Sequence, residues 1–299
     1  MRGWTWAHVR HGARVLRRGR APAATVYDSL GADFFLSAAP GWLNLGLWEG
    51  PGGEAEAPAA ARRLADTLAA RLPRGGVVAD VGNGLGAQDP VIAERARPRR
   101  LLALNVTESQ LRAGRRRLAD ADALAVVGDA TRLPLADGCA DGVISVEAAF
   151  HFPSRTAFFG EVHRVLRPGG VLVASDFSAQ RRPRTPVEWV AAMSSVRFWG
   201  LRPDVLVDAA TMAAQLRAAG LVDVAVARCG HRVIDPFLVF ARERLAGRPE
   251  VPRLQRWAAR AMVGQWALLR RRGLMDYVLV RAVKPPARLV SASSPATEA

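Results

Sequence analysis

Short apolar segments alternate with amphipathic segments through the middle of this 299-residue chain, and the alternation predicts its secondary structure. Leu64, Leu68 and Leu72 recur four residues apart, which predicts a helix over residues 59–72 with one apolar face. The strands predicted after it are 77–81, 101–105, 123–127, 141–146 and 171–177, and the helices between them are about 85–95, 107–118 (with Thr107 as N-cap) and 158–166. This order is typical of a mostly parallel sheet covered on both faces.

The pattern changes after Phe177, where longer helical segments interrupt the alternation. The later predicted helices are 185–198, 209–219, 236–245 and 253–271, and the later strands are 222–227 and 277–283. Helices inserted late over the carboxyl edge of a sheet can roof a pocket. The expected fold class is therefore α/β, a Rossmann-like, mostly parallel sheet of seven strands with helices on both faces and a helical lid.

The same pattern divides the chain into one large domain with an extension at each end. Residues 1–24 are rich in arginine and predict a basic flexible arm. Residues 25–284 form the predicted domain, with an N-terminal lid at 25–58, a core at 59–180 and a second lid with the last strands at 181–284. Residues 285–299 are rich in Pro, Ser and Ala and predict a disordered tail.

Composition narrows the class of protein only a little. The net charge is +15, but Lys284 is the only lysine, and arginine with abundant Ala, Gly and Pro is typical of a GC-rich coding sequence. The arginine clusters are scattered, so we expect solvated faces and no nucleic-acid partner, with weak membrane-surface contact by the arm as an open alternative. No secretory signal and no apolar run of about 20 residues is visible, so a cytoplasmic protein is expected. Cys139 and Cys229 are isolated, which predicts buried thiols and no metal site.

A glycine-rich turn carries the first chemical signal. The predicted strand 77–81 contains Asp80 and runs into Gly82, Gly84 and Gly86. Glycines at this spacing let the backbone turn sharply while a ligand lies against it. The spacing also fits the dinucleotide fingerprint G-x-G-x-x-A, which ends here at Ala87. About 25 residues after Asp80, Asn105 ends the next strand, where nucleotide-binding enzymes usually place an acid for ribose hydroxyls.

Two further signals follow the third and fourth strands. Asp129 can accept from an adenine amine while the Ala130 N–H donates to a ring nitrogen; the alternative is that Asp129 only caps a turn. Glu147 and His151 end the fourth strand and are the catalytic candidates. His151 could remove a proton from a hydroxyl, or it could make a structural hydrogen bond. Glu147 could stabilise a cation or orient an acceptor.

Four motifs in register give the sequence a family resemblance. D-V-G-x-G-x-G, G-D-A-x-x-L-P-L-x-D-G-x-x-D, V-E-A-x-x-H-F and R-V-L-R-P-G-G resemble those of class I S-adenosylmethionine-dependent methyltransferases, closest to the small-molecule group of ubiquinone/menaquinone-type and sterol or macrolide enzymes. The resemblance implies S-adenosylmethionine as cofactor. It places Asp80, Gly82, Asn83, Gly84 and Gly86 at the methionine part, Asn105, Val106, Thr107 and Gln110 at the ribose and adenine, Gly128, Asp129 and Ala130 at the adenine, and Glu147 beside the methyl group.

The resemblance extends to the lid. It implies that Tyr27 contacts the cofactor carboxylate and that Trp48, in the run N-L-G-L-W, passes near the sulfonium. The late helices are rich in aromatic residues, which suggests an apolar pocket with substrate contacts from Trp48, His151, Trp199, His231 and Phe237. Ordinary core packing is the alternative for the aromatic residues.

The predicted function is transfer of a methyl group to an oxygen or carbon of a small hydrophobic metabolite, in specialised, lipid or quinone metabolism. A nicotinamide dehydrogenase is disfavoured, because the acid after the second strand is missing. A nucleic-acid methyltransferase is disfavoured because the fourth strand ends in V-E-A-A rather than in the D/N-P-P-Y/F run that suits an exocyclic amine. A cyclase-like or non-catalytic protein that keeps the fold remains open. The acceptor, the choice among O, C and N, and the oligomeric state are left undetermined by the sequence.

Overall fold

The computed structural model describes residues 36–198, 207–247, 251 and 253–287. The helices within these ranges are α1 (Ala57–Ala69), α2 (Asp89–Ala96), α3 (Glu108–Asp120), α4 (Arg155–Val165), α5 (Pro186–Phe198), α6 (Ala209–Ala218), α7 (Gly230–Ala246) and α8 (Arg253–Arg271), with a 3-10 turn at Ala149–His151. The strands are β1 (Val77–Val81), β2 (Arg100–Asn105), β3 (Ala123–Val127), β4 (Ala140–Val146), β5 (Leu166–Ser178), β6 (Val222–Arg228) and β7 (Asp276–Val283). The predicted arm, Tyr27, Trp199 and the tail beyond residue 287 lie outside the described residues.

The seven strands form one sheet in the order β3-β2-β1-β4-β5-β7-β6. Strands β1 to β5 are parallel, and β7 runs antiparallel between β5 and β6. β1 is buried along its whole length, as expected for a central parallel strand with helices on both faces. The predicted fold class is confirmed.

Apolar side chains pack on both faces of this sheet. One cluster joins α1, α7 and α8 to the sheet through residues such as Leu64, Phe240 and Trp266. On the other face, α4 and α6 contribute Phe158 and Leu216. None of the helices within the described ranges has the length and apolar character needed to cross a bilayer.

Helix α2 begins later than predicted, at Asp89 rather than near residue 85. Gly82, Gly84 and Gly86 have φ angles of 80°, 60° and 75°, values that are incompatible with a right-handed helix. The chain therefore stays in a loop through the glycines and starts the helix only after Gln88.

Helix α7 begins six residues earlier than predicted, at Gly230, and contains Pro236 in its interior. Proline has no N–H for the helical bond to the residue four positions earlier. The carbonyl of that residue, Arg232, instead accepts the Trp48 N–H at 2.9 Å. A segment far away in the sequence thus satisfies the carbonyl that the proline leaves free.

Candidate functional site

The predicted site residues follow strands that end at one edge of the sheet. Strands β1 to β4 are parallel, so the residues after each of them meet at their carboxyl ends. Strand order reverses between β1 and β4, and ligands of open α/β sheets bind at such a point. The loop after β1 and the turn after β4 touch there: a Cβ built on Gly82 would lie 2.4 Å from the Ala148 Cβ.

Behind the glycine loop lie buried oxygen atoms that lack donors. Asp80 is fully buried, and neither of its carboxylate oxygens receives a hydrogen bond of normal geometry from the described residues. Asn83 Oδ1 is in the same state. A ligand that brings N–H donors to the loop, such as one with an ammonium group, would fit this arrangement.

Asn105 makes three hydrogen bonds inside the protein. Its Nδ2 donates to Gly84 O at 3.3 Å and to Gln110 Oε1 at 2.9 Å, while its Oδ1 accepts the Thr107 N–H at 2.9 Å. Thr107 occupies the N-cap position of α3, but its side chain makes no capping bond. Asn105 therefore ties the glycine loop to the start of α3, and its contact with the ribose stays a prediction.

Asp129 caps a turn, the role considered as its alternative, and keeps one oxygen outside that turn. Its Oδ1 accepts both the N–H and the hydroxyl of Thr131 at 2.8 Å. These two bonds leave Oδ2 for another donor. Val106, directly after the neighbouring strand, is 62% exposed, so its side chain is available to a ligand that lies against this edge. Gly128 and Ala130 flank Asp129, and Ala130 is buried.

Glu147 is the most constrained residue of the site. Its φ is 50°, in the left-handed region that a glutamate rarely adopts. Its Oε1 accepts the Leu45 N–H at 2.8 Å and the Tyr277 hydroxyl at 2.7 Å. Burial raises the pKa of Glu147 to about 8, and these two hydrogen bonds only partly oppose that rise. The carboxyl is therefore largely protonated at neutral pH.

His151 lies in the 3-10 turn four residues after Glu147; the residue as a whole is partly exposed, but its ring atom Nδ1 is buried. Its ring packs against Phe150 with centroids 3.9 Å apart and the ring planes tilted by 38°. Burial of the imidazole lowers the pKa of His151 to about 3, so the ring is neutral at every pH at which the enzyme would work.

The predicted substrate contacts do not all reach one place. Trp48 is 1% exposed, packs against Phe240 at 5.8 Å and donates its indole N–H to Leu45 O at 2.9 Å. This burial favours for Trp48 the core role considered as its alternative, and its contact with a substrate stays a prediction. Phe237 is also buried, beside Trp266, whereas His231 is exposed on the first turn of α7.

Sequence reasoning missed two features that support Glu147 and His151. Tyr277 holds the Glu147 carboxyl; its only signal was a hydroxyl at the start of an otherwise apolar strand. Asp176 and Arg155 form a buried ion pair at 2.7 Å, and the Phe150 backbone also hydrogen-bonds to Asp176. The pair therefore fixes the turn that carries His151.

The sheet order, the glycine loop and the residues at the switch point define a class I methyltransferase of Rossmann-like architecture. Residues 79–174 match the family described as a methyltransferase domain. The chain is 31% identical over 297 residues to the erythromycin 3''-O-methyltransferase of Saccharopolyspora erythraea, and the match covers 94% of each protein. The chain therefore belongs to the S-adenosylmethionine-dependent small-molecule methyltransferases, and S-adenosylmethionine is its cofactor.

Solved structures agree on the fold. A Galdieria sulphuraria protein assigned as a sarcosine dimethylglycine methyltransferase aligns with a TM-score of 0.71 at 17% identity, over 81% of this chain and 93% of that one. The 4+2 cyclase SpnF aligns with a TM-score of 0.68 at 22% identity, over 89% of this chain and 97% of that one. At these identities the likeness concerns the architecture alone.

The raised pKa of Glu147 predicts how stability depends on pH. Its pKa lies near 8 in the folded protein against an ordinary 4.5, so the folded state keeps a proton that the unfolded state loses. Stability from this group therefore falls as pH rises from about 4.5 to about 8, by up to a few kcal/mol. Glu147→Gln keeps an acceptor for Leu45 and Tyr277 but cannot ionise. Urea unfolding at pH 5 and pH 8 should show a smaller loss of stability for the variant than for the wild type.

Glu161→Gln is the control of opposite sign. Hydrogen bonds from Arg164 lower the pKa of Glu161, so its contribution is present above the ordinary value and is lost in acid. The Glu161→Gln variant should have a lower free energy of unfolding than the wild type throughout pH 5–8. Its stability should change with pH as steeply as that of the wild type. A Glu147→Gln profile as steep as that of the wild type would contradict the assignment of the slope to Glu147.

Proposed function

We propose that this enzyme transfers the methyl group to a hydroxyl oxygen of a large hydrophobic metabolite of the macrolide type. The observation that carries the proposal is the similarity to erythromycin 3''-O-methyltransferase, because it spans nearly the whole of both chains, lids included. The neutral imidazole and the protonated carboxyl at the switch point are compatible with an uncharged alcohol as acceptor. A charged acceptor would instead favour an ionised partner.

The cofactor would lie along the carboxyl edge, held by residues from three strands. The glycine loop after β1 would receive the methionine part, Gln110 and Val106 the ribose and adenine, and Asp129 Oδ2 the adenine amine. When bound, S-adenosylmethionine supplies an electrophilic methyl group on a sulfonium sulfur. The protein's task is then to align the acceptor with that methyl group and to exclude water.

His151 would accept the hydroxyl proton during transfer. A pKa near 3 makes imidazole a weak base toward a free alcohol. An alcohol oxygen that is gaining a methyl group becomes strongly acidic, however, so a weak base is sufficient at that moment. Glu147 would orient the acceptor hydroxyl, since its own position is fixed by the backbone of Leu45 and the hydroxyl of Tyr277. Because His151 stays neutral, the rate at saturating cofactor should show no titration of this imidazole near pH 6.5.

A binding experiment with one matched pair of variants tests the cofactor site. Calorimetric titration with S-adenosylmethionine should give binding that Asp129→Ala weakens about 10- to 100-fold, the cost of about 1.5–3 kcal/mol for a hydrogen bond to a charged group. Asp129→Asn keeps an acceptor for Thr131 and should lose less affinity for S-adenosylmethionine than Asp129→Ala does. Equal affinity in wild type and Asp129→Ala would contradict the assignment of adenine to this residue.

Transfer is tested with labelled S-adenosylmethionine and an acceptor panel. The panel contains macrolides with free hydroxyl groups, a fatty acid, a hydroquinone and transfer RNA. The labelled methyl group should appear in the macrolides, and the His151→Ala variant should transfer less of it. Label in RNA would support the nucleic-acid alternative. Cofactor binding with no transfer to any acceptor would favour a cyclase-like reaction, the alternative that the shared architecture of SpnF keeps open.

A further inference from the structure

A second buried carboxyl lies behind the glycine loop and has no part in the mechanism above. Asp89 is the first residue of α2, in the run Gly86-Ala87-Gln88-Asp89, and its side chain is fully buried. Asn83 Nδ2 donates to Asp89 Oδ2 at 3.3 Å, and a Cβ built on Gly86 would lie 3.3 Å from the same oxygen. Asp89 therefore packs directly under the loop, close enough to Asp80 for the two carboxyls to affect each other's ionisation.

This pocket holds more hydrogen-bond acceptors than donors. Four of its oxygens receive no hydrogen bond of normal geometry from the described part of the chain: Asp80 Oδ1, Asp80 Oδ2, Asn83 Oδ1 and Asp89 Oδ1. Asp80 interacts with the side chains of Gln88 and Asp89 only outside that geometry. The loop does not supply the missing donors, because the N–H groups of Gly82 and Asn83 both point to Leu104 O. A buried polar group that is left unsatisfied is unfavourable. A group with several N–H donors would satisfy the pocket.

The charges around the pocket do not neutralise two carboxylates. On the strands beside Asp80, the paired residues Ala103 and Ile144 are apolar. Helix α3 contributes a cationic side chain at the loop: Arg117 Nη1 donates a hydrogen bond to Leu85 O at 3.3 Å. Neither Asp80 nor Asp89 takes part in an ion pair among the described residues.

Two adjacent buried carboxyls therefore hold a proton. Burial, followed by repulsion from Asp89, raises the pKa of Asp80 well above its ordinary range, although the Gln88 amide opposes the rise. Burial raises the pKa of Asp89 to about 7. With at least one proton shared between them, the pair avoids two like charges at close range.

We infer that Asp80 and Asp89 form a proton-sharing pair that releases a proton when the alkylammonium group of the cofactor's methionine part binds at the loop. The inference rests on the proposed position of the cofactor. In the step, the O–H bond of the protonated carboxyl breaks and the proton goes to solvent, while N–H donors of the ammonium satisfy the freed oxygens. Asp89 is thus a positioning residue that couples cofactor affinity to pH.

Calorimetric titration of the full chain in two buffers of different ionisation enthalpy, at pH 6.5, counts the protons released. An α-amino group with an ordinary pKa of about 7.7–8.0 is already an ammonium there. S-Adenosylhomocysteine carries this ammonium, and 5'-methylthioadenosine lacks the amino-acid part. We expect release of about one proton with S-adenosylhomocysteine and about none with 5'-methylthioadenosine. In the range below pH 7, the affinity for S-adenosylhomocysteine should increase with pH, by up to about tenfold for each unit that the pH rises.

Asp89→Asn is the matched variant, because it keeps the shape and the bond to Asn83 but cannot release a proton. It should bind S-adenosylhomocysteine with little proton release and a flatter pH dependence. Equal proton counts for the two ligands in the wild type, a comparison that needs no variant, would overturn the inference. Unchanged release in Asp89→Asn would overturn it as well. Binding without release contradicts only this inference, whereas no binding at all contradicts the proposed cofactor site too.

Discussion

Gly82→Ala should abolish cofactor binding and lower the free energy of unfolding by about 2–5 kcal/mol. Two effects add at this position. A φ of 80° costs an L-residue about 1–2 kcal/mol, and a methyl group 2.4 Å from the Ala148 Cβ forces a shift that costs about 1–3 kcal/mol more. The shift moves the loop away from the turn that carries Glu147 and His151. Urea unfolding and calorimetric titration with S-adenosylhomocysteine measure the two losses.

Two controls separate strain from the steric clash. Gly138 has a similar φ of 59°, but no atom lies within 4 Å of a Cβ built on it. Gly138→Ala should therefore lower the free energy of unfolding only by the cost of the backbone strain, and it should bind the cofactor normally. Adding Ala148→Gly to Gly82→Ala removes the clash and should restore part of both stability and binding. If Gly82→Ala and Gly138→Ala behave alike, the close contact between the loop and the β4 turn is not what the substitution disrupts.

Asp176→Asn should destabilise the protein by about 3–5 kcal/mol, because it leaves the Arg155 guanidinium buried without its counter-charge. The two side chains are only 4% and 3% exposed, and Arg155 Nη2 lies 2.7 Å from Asp176 Oδ2. The same carboxylate accepts the Phe177 N–H at 2.9 Å. Loss of the pair should also loosen the His151 turn and reduce the rate of transfer more than the affinity for cofactor.

An exposed pair and a double replacement complete this test. Arg112 and Glu108 are also 2.7 Å apart, but their side chains are 76% and 59% exposed, so Arg112→Ala should cost less than about 1 kcal/mol. Replacing both buried partners, as Arg155→Met with Asp176→Leu, removes the uncompensated charge and should cost less than Asp176→Asn alone. A loss below 1 kcal/mol for Asp176→Asn in urea unfolding would contradict the argument.

The elements that sequence reasoning predicted best are those fixed by local pattern. Strands 77–81 and 123–127 and the helix 253–271 were predicted with the bounds that the structure shows, because apolar periodicity is strong in each. Asp80 and Gly82 were placed at the ligand edge because glycine spacing after a strand has a direct steric meaning. The predicted domain bounds and site roles stay predictions where no contact of the described chain bears on them.

The features that sequence reasoning missed depend on contacts between distant segments. The start of α7 was misplaced because a proline inside a helix is tolerated only when another group takes the free carbonyl, and that group is Trp48, 184 residues away from Arg232. For Trp48 the sequence left pocket and core open, since an aromatic side chain in a lid has no sequence feature that separates the two. The hydroxyl of Tyr277 at the start of an apolar strand did not reveal its partner, because Glu147 lies 130 residues earlier.

The position of β7 also determines when the enzyme can become complete during synthesis. β6 has β7 as its neighbour in the sheet and lies at the edge, so it cannot join the sheet before the last strand has left the ribosome. The Glu147 carboxyl also lacks its hydrogen bond from Tyr277 until β7 has been synthesised, because Tyr277 lies at the start of that strand. Domains are made from the N-terminus onward at about 5–20 residues per second. For most of that time the nascent chain can hold a glycine loop but no finished transfer site.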